Sequence, residues 1–333
     1  MTNRREILLA AAATATATLL RPQSILAAVA NDDGPILDTH QHLWDLKALN
    51  PPWVAEADAI LQKKYYVEEY VNESEGLNIL SSMYMEIDMA TDKVDFEAKH
   101  ILDICRSGKA QTRGAILSGR PEKPRFIERV KRWSKEDEVH GFRRILHADH
   151  APTGICLGKQ FLKSMNALGE HDLTFDLCMR PEELTDGAKL AGLCPNTQFV
   201  VDHCGNADPV AFQANGRQSR EALHDADAWR KSIEALASHA NVACKISGIV
   251  ARAPKGWTSD DLAPIIDHCM DTFGPDRVVF GSDWPVCRLG ATLKQWVTAL
   301  REVVSERPQK AQRALFSGNA QKIYGAKLAA IAK

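Results

Sequence analysis

Several signatures of common protein classes are missing from this sequence. It contains no Gly-x-Gly-x-x-Gly dinucleotide fingerprint, no P-loop and no Cys-x-x-Cys pair, and its eight cysteines are scattered. A formal net charge of −2 gives no electrostatic reason to bind nucleic acid or a membrane surface. We therefore expect a small-molecule partner, and we expect most cysteines to be buried free thiols.

A long hydrophobic run is also missing, although the N-terminus is apolar. Arg4-Arg5 precede an uncharged stretch over residues 7–20, and Ala28-Val29-Ala30 offers a small-x-small cleavage site. The stretch is shorter than the ~20 residues of a membrane-spanning helix. It predicts an export signal over residues 1–30, of the twin-arginine type or alternatively of the Sec type. The mature domain, residues 31–333, would then act in the periplasm or otherwise outside the cytoplasm, without membrane attachment.

Strand and helix patterns alternate along the remaining chain. Short apolar segments predict eight strands, at residues 36–45, 78–88, 111–118, 140–147, 173–179, 198–203, 241–247 and 277–285. Helical spacing falls between and after them, at residues 96–106, 125–133, 160–169, 181–192, 227–238, 259–273, 292–304 and 308–316. A single-domain α/β fold, the (β/α)8 TIM barrel, is the simplest closure of this count. A doubly wound sheet is the alternative, but it would not explain polar residues at so many strand ends.

The first strand carries a His-x-His pair, His40 and His42. Residues two apart in a strand point the same way, so both imidazoles would face one space and could bind a zinc-type ion. Composition alone gives about 0.36 such pairs in this chain, so the pair by itself is weak evidence. The long connection over residues 43–77 either covers a pocket beside this strand or is a packed surface loop.

Further polar residues recur near the predicted strand ends, where an α/β barrel places its chemistry. They are Glu86, Arg143, His203, Lys245 and Asp283. Glu86, Arg143 and Lys245 each have a structural alternative, namely an ion pair or an extended strand-end side chain. Asp283 closes an apolar run, so its carboxylate needs a compensating partner in a dry barrel.

Six segments resemble the amidohydrolase superfamily, in the branch of L-fuconolactonase, L-rhamnonolactonase and pyrone-dicarboxylate lactonase. They are ILDTHQHLWD, HGFRRILH, FVVDHCG, VACKISG, RVVFGSDWPV and the C-terminal SGNA followed by Tyr324. The likeness runs in order from about residue 36 to residue 325. It implies a TIM-barrel hydrolase that acts on lactones.

The resemblance also implies roles for individual residues. His40 and His42 match metal ligands, Asp283 matches the catalytic carboxylate, and His203 matches a position that contacts the metal or the substrate carbonyl. The predicted metal set is therefore His40, His42, His203 and Asp283, with Asp283 and His203 as the catalytic residues. Arg143, with Lys245 and Glu86, would bind substrate. Arg143 replaces the lysine that forms a bridging carbamate in two-metal members, so we expect one divalent ion, zinc, or none.

The expected reaction is metal-assisted hydrolysis of a sugar-acid lactone. Water would attack the cyclic ester while Asp283 takes its proton and passes it to the leaving ring oxygen. Metal-independent lactone hydrolysis, a related amidase or decarboxylase, and a non-catalytic exported binding protein remain alternatives. The sequence leaves open the particular sugar, the ring size and whether the chain forms a homo-oligomer.

Overall fold

The computed structural model describes residues 34–214 and 218–325, and the predicted export signal lies outside them. Eight parallel strands follow one another around a single sheet in chain order. They are β1 (Ile36–Gln41), β2 (Ile79–Met85), β3 (Thr112–Ser118), β4 (Val139–Ile145), β5 (Thr174–Cys178), β6 (Phe199–Val201), β7 (Val242–Ile246) and β8 (Val278–Phe280). The predicted (β/α)8 barrel is confirmed, with each strand inside or beside its predicted range.

Helices pack around the barrel. The longer ones are Val94–Ser107, Arg125–Trp133, Lys159–Gly169, Leu184–Leu193, Ala226–Ala237, Ser259–Phe273 and Leu293–Val303, and the chain ends with Gln309–Arg313, a π-helical turn Ala314–Gly318 and Asn319–Ile323. Each corresponds to a predicted segment or extends one. Within the described residues, no helix combines the length and the apolar character that a membrane crossing requires.

The connection between β1 and β2 contains one helix that the sequence pattern did not predict, Val67–Glu73. Its seven residues are too few to show a clear apolar period. The structure shows how it is held: Glu69 accepts from the backbone N–H of Tyr66, and the buried Tyr70 donates its hydroxyl to Asp38 at 2.7 Å. Trp53 in the same connection donates to the carbonyl of Ile87 at 2.8 Å. The connection is therefore packed against the barrel rather than loose.

The barrel closes where β1 meets the segment that follows β8. The N–H of Asp283 donates to the carbonyl of His40 at 2.8 Å, and the N–H of His42 donates to the carbonyl of Trp284 at 2.7 Å. The buried Asp38 carboxylate adds a side-chain bridge, because its Oδ1 accepts from the N–H of Ser282 at 2.8 Å. We call this set of bonds the β1–β8 junction.

The barrel interior contains an apolar cluster and a group of charged side chains. Leu37, Met85, Ile116, Val200 and Val279 form part of the inner apolar cluster, and Tyr324 from the C-terminal segment also belongs to it. Among the charged side chains, the Nζ of Lys245 lies 2.5 Å from Asp176 and 3.1 Å from Asp202. The hydroxyl of Tyr324 donates to Asp176 at 3.1 Å. Buried charges in the barrel are thus paired, as their desolvation requires.

The outer layer, between strands and helices, holds most of the aliphatic and aromatic core. All eight cysteines are buried and free, which confirms the expectation from the sequence. Asn319 fixes the C-terminal segment to the barrel, because its amide donates to the carbonyls of Pro275 and Val278, each at 2.8 Å.

One buried carboxyl, Glu97, links the Val94–Ser107 helix to β2. It accepts from the hydroxyl of Tyr84 at 2.8 Å and from the N–H of Ile87 at 3.0 Å, and it is 1% exposed. Burial raises the pKa of Glu97 to about 8, and the nearby Glu86 carboxylate adds to the increase. The folded state therefore holds a proton at Glu97 that the unfolded chain releases near its ordinary pKa.

We expect this proton to make stability depend on pH. The stabilisation is fully present below the ordinary glutamate pKa and is lost as the pH rises through about 8. The free energy of unfolding of the wild type should therefore fall between pH 6 and pH 9, whereas Glu97→Gln, which cannot ionise, should reduce that fall. Urea unfolding at both pH values measures the difference. Glu68→Gln, on the Val67–Glu73 helix, is the control and should behave like the wild type. If the free energy of unfolding of Glu97→Gln fell as much as that of the wild type, the raised pKa of Glu97 would not be the cause.

Candidate active site

Three of the predicted ligands converge at the carboxyl end of the barrel. The Nε2 atoms of His40 and His42 lie 3.2 Å apart. The Oδ1 atom of Asp283 lies 3.5 Å from Nε2 of His40 and 3.3 Å from Nε2 of His42. All three side chains are buried and could hold one ion together. The structure therefore brings together one imidazole from β1, one from the residue directly after β1 and a carboxylate from the segment after β8.

The size of this triangle tests whether a metal fits. Zinc bonds histidine nitrogen at about 2.0–2.1 Å, so the edges of a tetrahedral site are about 3.3–3.4 Å long. The three distances among His40, His42 and Asp283 fall around that length. Two imidazole nitrogens and one carboxylate oxygen are also a donor set that suits zinc, and they leave a fourth position for water or substrate. The residues present fit one ion.

Each histidine of the triangle is oriented through its other nitrogen. The Nδ1–H of His42 donates to the carbonyl of Met85 at 2.9 Å, which leaves Nε2 with a free lone pair. The Nδ1 of His40 lies 3.4 Å from a carboxylate oxygen of Asp202. Carboxylate or carbonyl partners of this kind fix the tautomer of a metal-binding histidine and raise its basicity.

Asp283 follows β8 in a left-handed backbone conformation, with φ of 54°. Aspartate tolerates this region better than most residues do. Burial acts to raise the pKa of Asp283, but His203, His42 and His40 together hold that pKa well below its ordinary value. The carboxyl is therefore ionised at neutral pH and can bind a cation or accept a proton.

His203 stands beside this triangle rather than in it. Its ring centre lies 4.6 Å from that of His40, and it forms a second possible ligand group with His40 and Asp202. Its Nδ1 lies 2.9 Å from the hydroxyl of Ser247. Burial lowers the pKa of His203 to about 4, so the ring is neutral at pH 7. A neutral imidazole here can contact either an ion or a substrate carbonyl.

His203 begins a turn of unusual conformation. His203, Cys204, Gly205 and Asn206 all have left-handed φ values, between 52° and 69°. Non-glycine residues visit this region singly as a rule, because each costs roughly 1–2 kcal/mol there. Surrounding bonds hold the turn in place: Trp229 donates to the carbonyl of Cys204 at 2.9 Å, and Asn206 donates to the carbonyl of Met179 at 2.7 Å. Such strain is typical of functional sites.

Arg143 and Glu86 are bound to each other next to the histidines. The Nε of Arg143 donates to Glu86 at 2.8 Å, and a terminal nitrogen donates to the backbone carbonyl of Glu86 at 2.7 Å. Another terminal nitrogen of Arg143 lies 3.3 Å from Nε2 of His40. The guanidinium therefore reaches the ligand triangle, whereas the Glu86 carboxylate serves to hold it.

Lys245, like Glu86, is held in a buried ion pair. It is 0% exposed, and its ammonium group is paired with Asp176 and Asp202. Asp202 in turn contacts His40 and Arg143. Lys245 thus neutralises the carboxylate that orients His40, and it is linked to the triangle through Asp202.

Sequence reasoning did not assign roles to Asp202 and Arg252. Asp202 carried a signal, since it ends an apolar strand directly before His203. Arg252 had none, because it lies in a short 3-10 turn, Ile249–Arg252, after β7. Burial lowers the pKa of Arg252, while Cys178, Asp283 and Asp208 act to raise it. Its guanidinium is half-buried and makes no hydrogen bond or ion pair to another residue described by the structure. It is therefore free to bind a ligand near Asp283.

The arrangement contains the parts needed for hydrolysis. Three convergent ligands, one of them the ionised Asp283 carboxylate, can hold an ion, and the Arg143 and Arg252 guanidinium groups lie nearby. Oxyanion stabilisation needs such positive groups at the point where charge develops.

Comparison with known proteins agrees with this geometry. The family model described as amidohydrolase matches residues 37–326. L-fucono-1,5-lactonase of Burkholderia multivorans is 26% identical over 86% of this chain and 95% of its own length. L-rhamnono-gamma-lactonase of Scheffersomyces stipitis is 21% identical over 87% of this chain and 98% of its own length. An amidohydrolase structure from Burkholderia multivorans with bound zinc has a TM-score of 0.74 and 24% identity, covering 87% of this chain and 99% of that one.

The family match extends over nearly all of the described barrel and includes every ligand of the triangle. This confirms the resemblance found in the strand-end motifs: the chain belongs to the amidohydrolase family.

Proposed function

We propose that this protein is a metal-assisted hydrolase that opens a small sugar-acid lactone. The observation that carries the proposal is the His40, His42 and Asp283 triangle, whose edges of 3.2–3.5 Å match a tetrahedral zinc site. One divalent ion, zinc, is the cofactor that this donor set supports. The family resemblance matches Arg143 to the lysine that bridges two ions in two-metal members, and its replacement by arginine supports a single ion.

The relatives support the substrate class. Two curated proteins that match over most of this chain are named L-fucono-1,5-lactonase, and a third is named L-rhamnono-gamma-lactonase. All three names describe lactones of sugar acids, which are small and rich in hydroxyl groups. Guanidinium groups such as those of Arg143 and Arg252 suit this chemistry, because each presents several N–H donors in a fixed plane.

Hydrolysis of a lactone requires a nucleophilic water, a stabilised oxyanion and a protonated leaving oxygen. A bound zinc ion would supply Lewis acidity and lower the pKa of its water to about 7. Asp283 takes the proton of the attacking water at a carboxylate oxygen and then gives it to the ring oxygen as the ester bond breaks. His203, neutral at pH 7, lies where it can contact the carbonyl oxygen.

The remaining residues position the reacting groups. Asp202 and the carbonyl of Met85 hold the two β1 histidines in the required tautomers. Arg143, held by Glu86, directs a terminal nitrogen that also contacts Asp202 toward the triangle. Arg252 binds a hydroxyl or carboxylate group of the substrate at the mouth of the barrel. Lys245 acts indirectly, because its ammonium group balances the negative charge of the Asp202 carboxylate.

We also propose that the reaction takes place outside the cytoplasm. The support is the paired Arg4-Arg5, the uncharged stretch at residues 7–20 and the small-x-small sequence at residues 28–30. Cell fractionation of the full chain and of a chain lacking residues 1–30 tests this location. Equal distribution of the two forms would contradict it.

Removing the metal should abolish hydrolysis. On a panel of aldonolactones that includes L-fucono- and L-rhamnono-lactones, we expect proton release by the purified protein to fall at least 100-fold after chelation, because bound water loses its activation. Added zinc should restore it, and circular dichroism should show that the chelated protein stays folded. Undiminished activity after verified metal removal would leave the lactonase but reject the metal. Failure to hydrolyse any lactone would reject the proposed function.

Asp283→Asn tests the proton-transfer role. We expect kcat to fall about 10²–10⁴-fold, the usual contribution of a general acid–base group. Metal analysis of the same sample separates the two duties of Asp283: a normal zinc content with a low kcat identifies the base, and a lost zinc content identifies the ligand. Asp276→Asn, at an exposed surface position, is the control. Near-normal turnover in Asp283→Asn would remove Asp283 from the mechanism.

Arg252→Gln tests substrate recognition. A hydrogen bond from a charged donor contributes about 1.5–3 kcal/mol, so we expect KM to rise roughly 10- to 150-fold while kcat changes little. Lys255→Gln is a matched control, since Lys255 is an exposed cation three positions along the same loop. An unchanged kcat/KM in Arg252→Gln would show that the guanidinium does not contact the substrate.

A further inference from the structure

Three of the eight cysteines meet at one point outside the catalytic site. Cys204, Cys244 and Cys269 place their sulfur atoms within 4.8 Å of one another, and each side chain is 0% exposed. They come from three different elements: the turn after β6, strand β7 and the Ser259–Phe273 helix. The proposed hydrolysis uses none of these sulfur atoms.

The position of the group follows from strand alternation. Lys245 points into the barrel, so its neighbour Cys244 points outward, toward the helix that carries Cys269. Cys204 belongs to the same outer core cluster, and its sulfur lies 3.8 Å from the carbonyl of Lys245. The three thiols therefore face one another in the layer between the barrel and its helices, next to the turn that begins at His203.

We propose that Cys204, Cys244 and Cys269 form a second metal site, which binds one soft monovalent cation such as Cu(I). An ion about 2.3 Å from each of three sulfur atoms, in their plane, holds them about 4.0 Å apart. The observed limit of 4.8 Å accommodates that triangle with little movement. Thiolate ligands select Cu(I) and similar soft ions over the harder cations that prefer oxygen.

The number of ligands and the apolar surroundings favour a monovalent ion over zinc. Structural zinc sites use four ligands, whereas this group contains three cysteines and no histidine or carboxylate among the described residues. A net charge is costly in an apolar layer. When one Cu(I) ion replaces one thiol proton, a thiolate forms, a proton is released and the site stays neutral. A divalent ion must displace two thiol protons to leave the site neutral, so two of these buried thiols would have to ionise instead of one.

Binding of Cu(I) to the purified protein tests the proposal. The ion is supplied anaerobically with ascorbate and then competed with a Cu(I)-specific chelator, after the catalytic site has been saturated with zinc. We expect one retained Cu(I) per chain, and X-ray absorption should show three sulfur neighbours at about 2.3 Å. Because this spectrum is measured on the wild type, it identifies the ligand atoms even if a substitution impairs folding.

Matched variants locate the ion. Cys244→Ala and Cys269→Ala each remove one sulfur at little change in volume, and each should weaken Cu(I) retention at least tenfold. Cys105→Ala removes a buried cysteine of the Val94–Ser107 helix and should leave retention unchanged. Lactone hydrolysis by the zinc-loaded variants serves as the check on folding.

Three results would overturn the proposal. The first is equal Cu(I) retention by the wild type, Cys244→Ala and Cys269→Ala. The second is nitrogen ligation in the absorption spectrum, which would assign the ion to the catalytic histidines. The third is a disulfide within the group, because it would remove two of the three ligands. It would appear as six rather than eight free thiols in denaturant, and a reductant would restore the count of eight. The deficit of two thiols would disappear in Cys244→Ala or in Cys269→Ala.

Discussion

Closure of the barrel at the β1–β8 junction is the constraint on which both fold and site depend. The backbone bonds from Asp283 to His40 and from His42 to Trp284 join the first strand to the last. Three of these four residues, His40, His42 and Asp283, are the ligands of the triangle. A shift of register by one residue at this junction would move Asp283 about 3.3 Å along the strand relative to the histidines. Fold stability and ligand geometry are therefore set by the same few hydrogen bonds.

The features that the sequence predicted well are those with a regular period or a fixed end point. Strand number, order and position follow from short apolar runs, although β1, β6 and β8 are shorter than predicted. The spacing of His40 and His42 places both rings on one side. Asp283 was identifiable because a carboxylate that ends a buried strand needs a partner. In a parallel barrel, all strand carboxyl ends meet at one rim, so residues as distant in the chain as His40 and Asp283 can be assigned to one site from their positions at strand ends.

The features that the sequence did not predict depend on contacts between separate strands, helices and loops. Nothing in the sequence shows that a main-chain carbonyl, that of Met85, orients His42, or that Lys245 turns inward to Asp176 and Asp202. Arg252 reaches the site from a turn whose path is set by the packing of the β7 loop. The helix Val67–Glu73 is too short to show a helical period; Glu69 caps its N-terminal end, and the Tyr70 hydroxyl anchors it to Asp38. Local patterns do not encode such pairings.

The left-handed turn at residues 203–206 limits which amino acids can occupy the wall of the site. Residues branched at Cβ fit this backbone region poorly, whereas asparagine, aspartate and glycine enter it readily. Exchange of His203 for valine or threonine would change the path of the chain as well as remove the imidazole. Asparagine is the replacement that keeps the backbone while deleting the ring. Homologous chains that keep this turn should therefore draw from a narrow set of residues here, whatever substrate they have come to prefer.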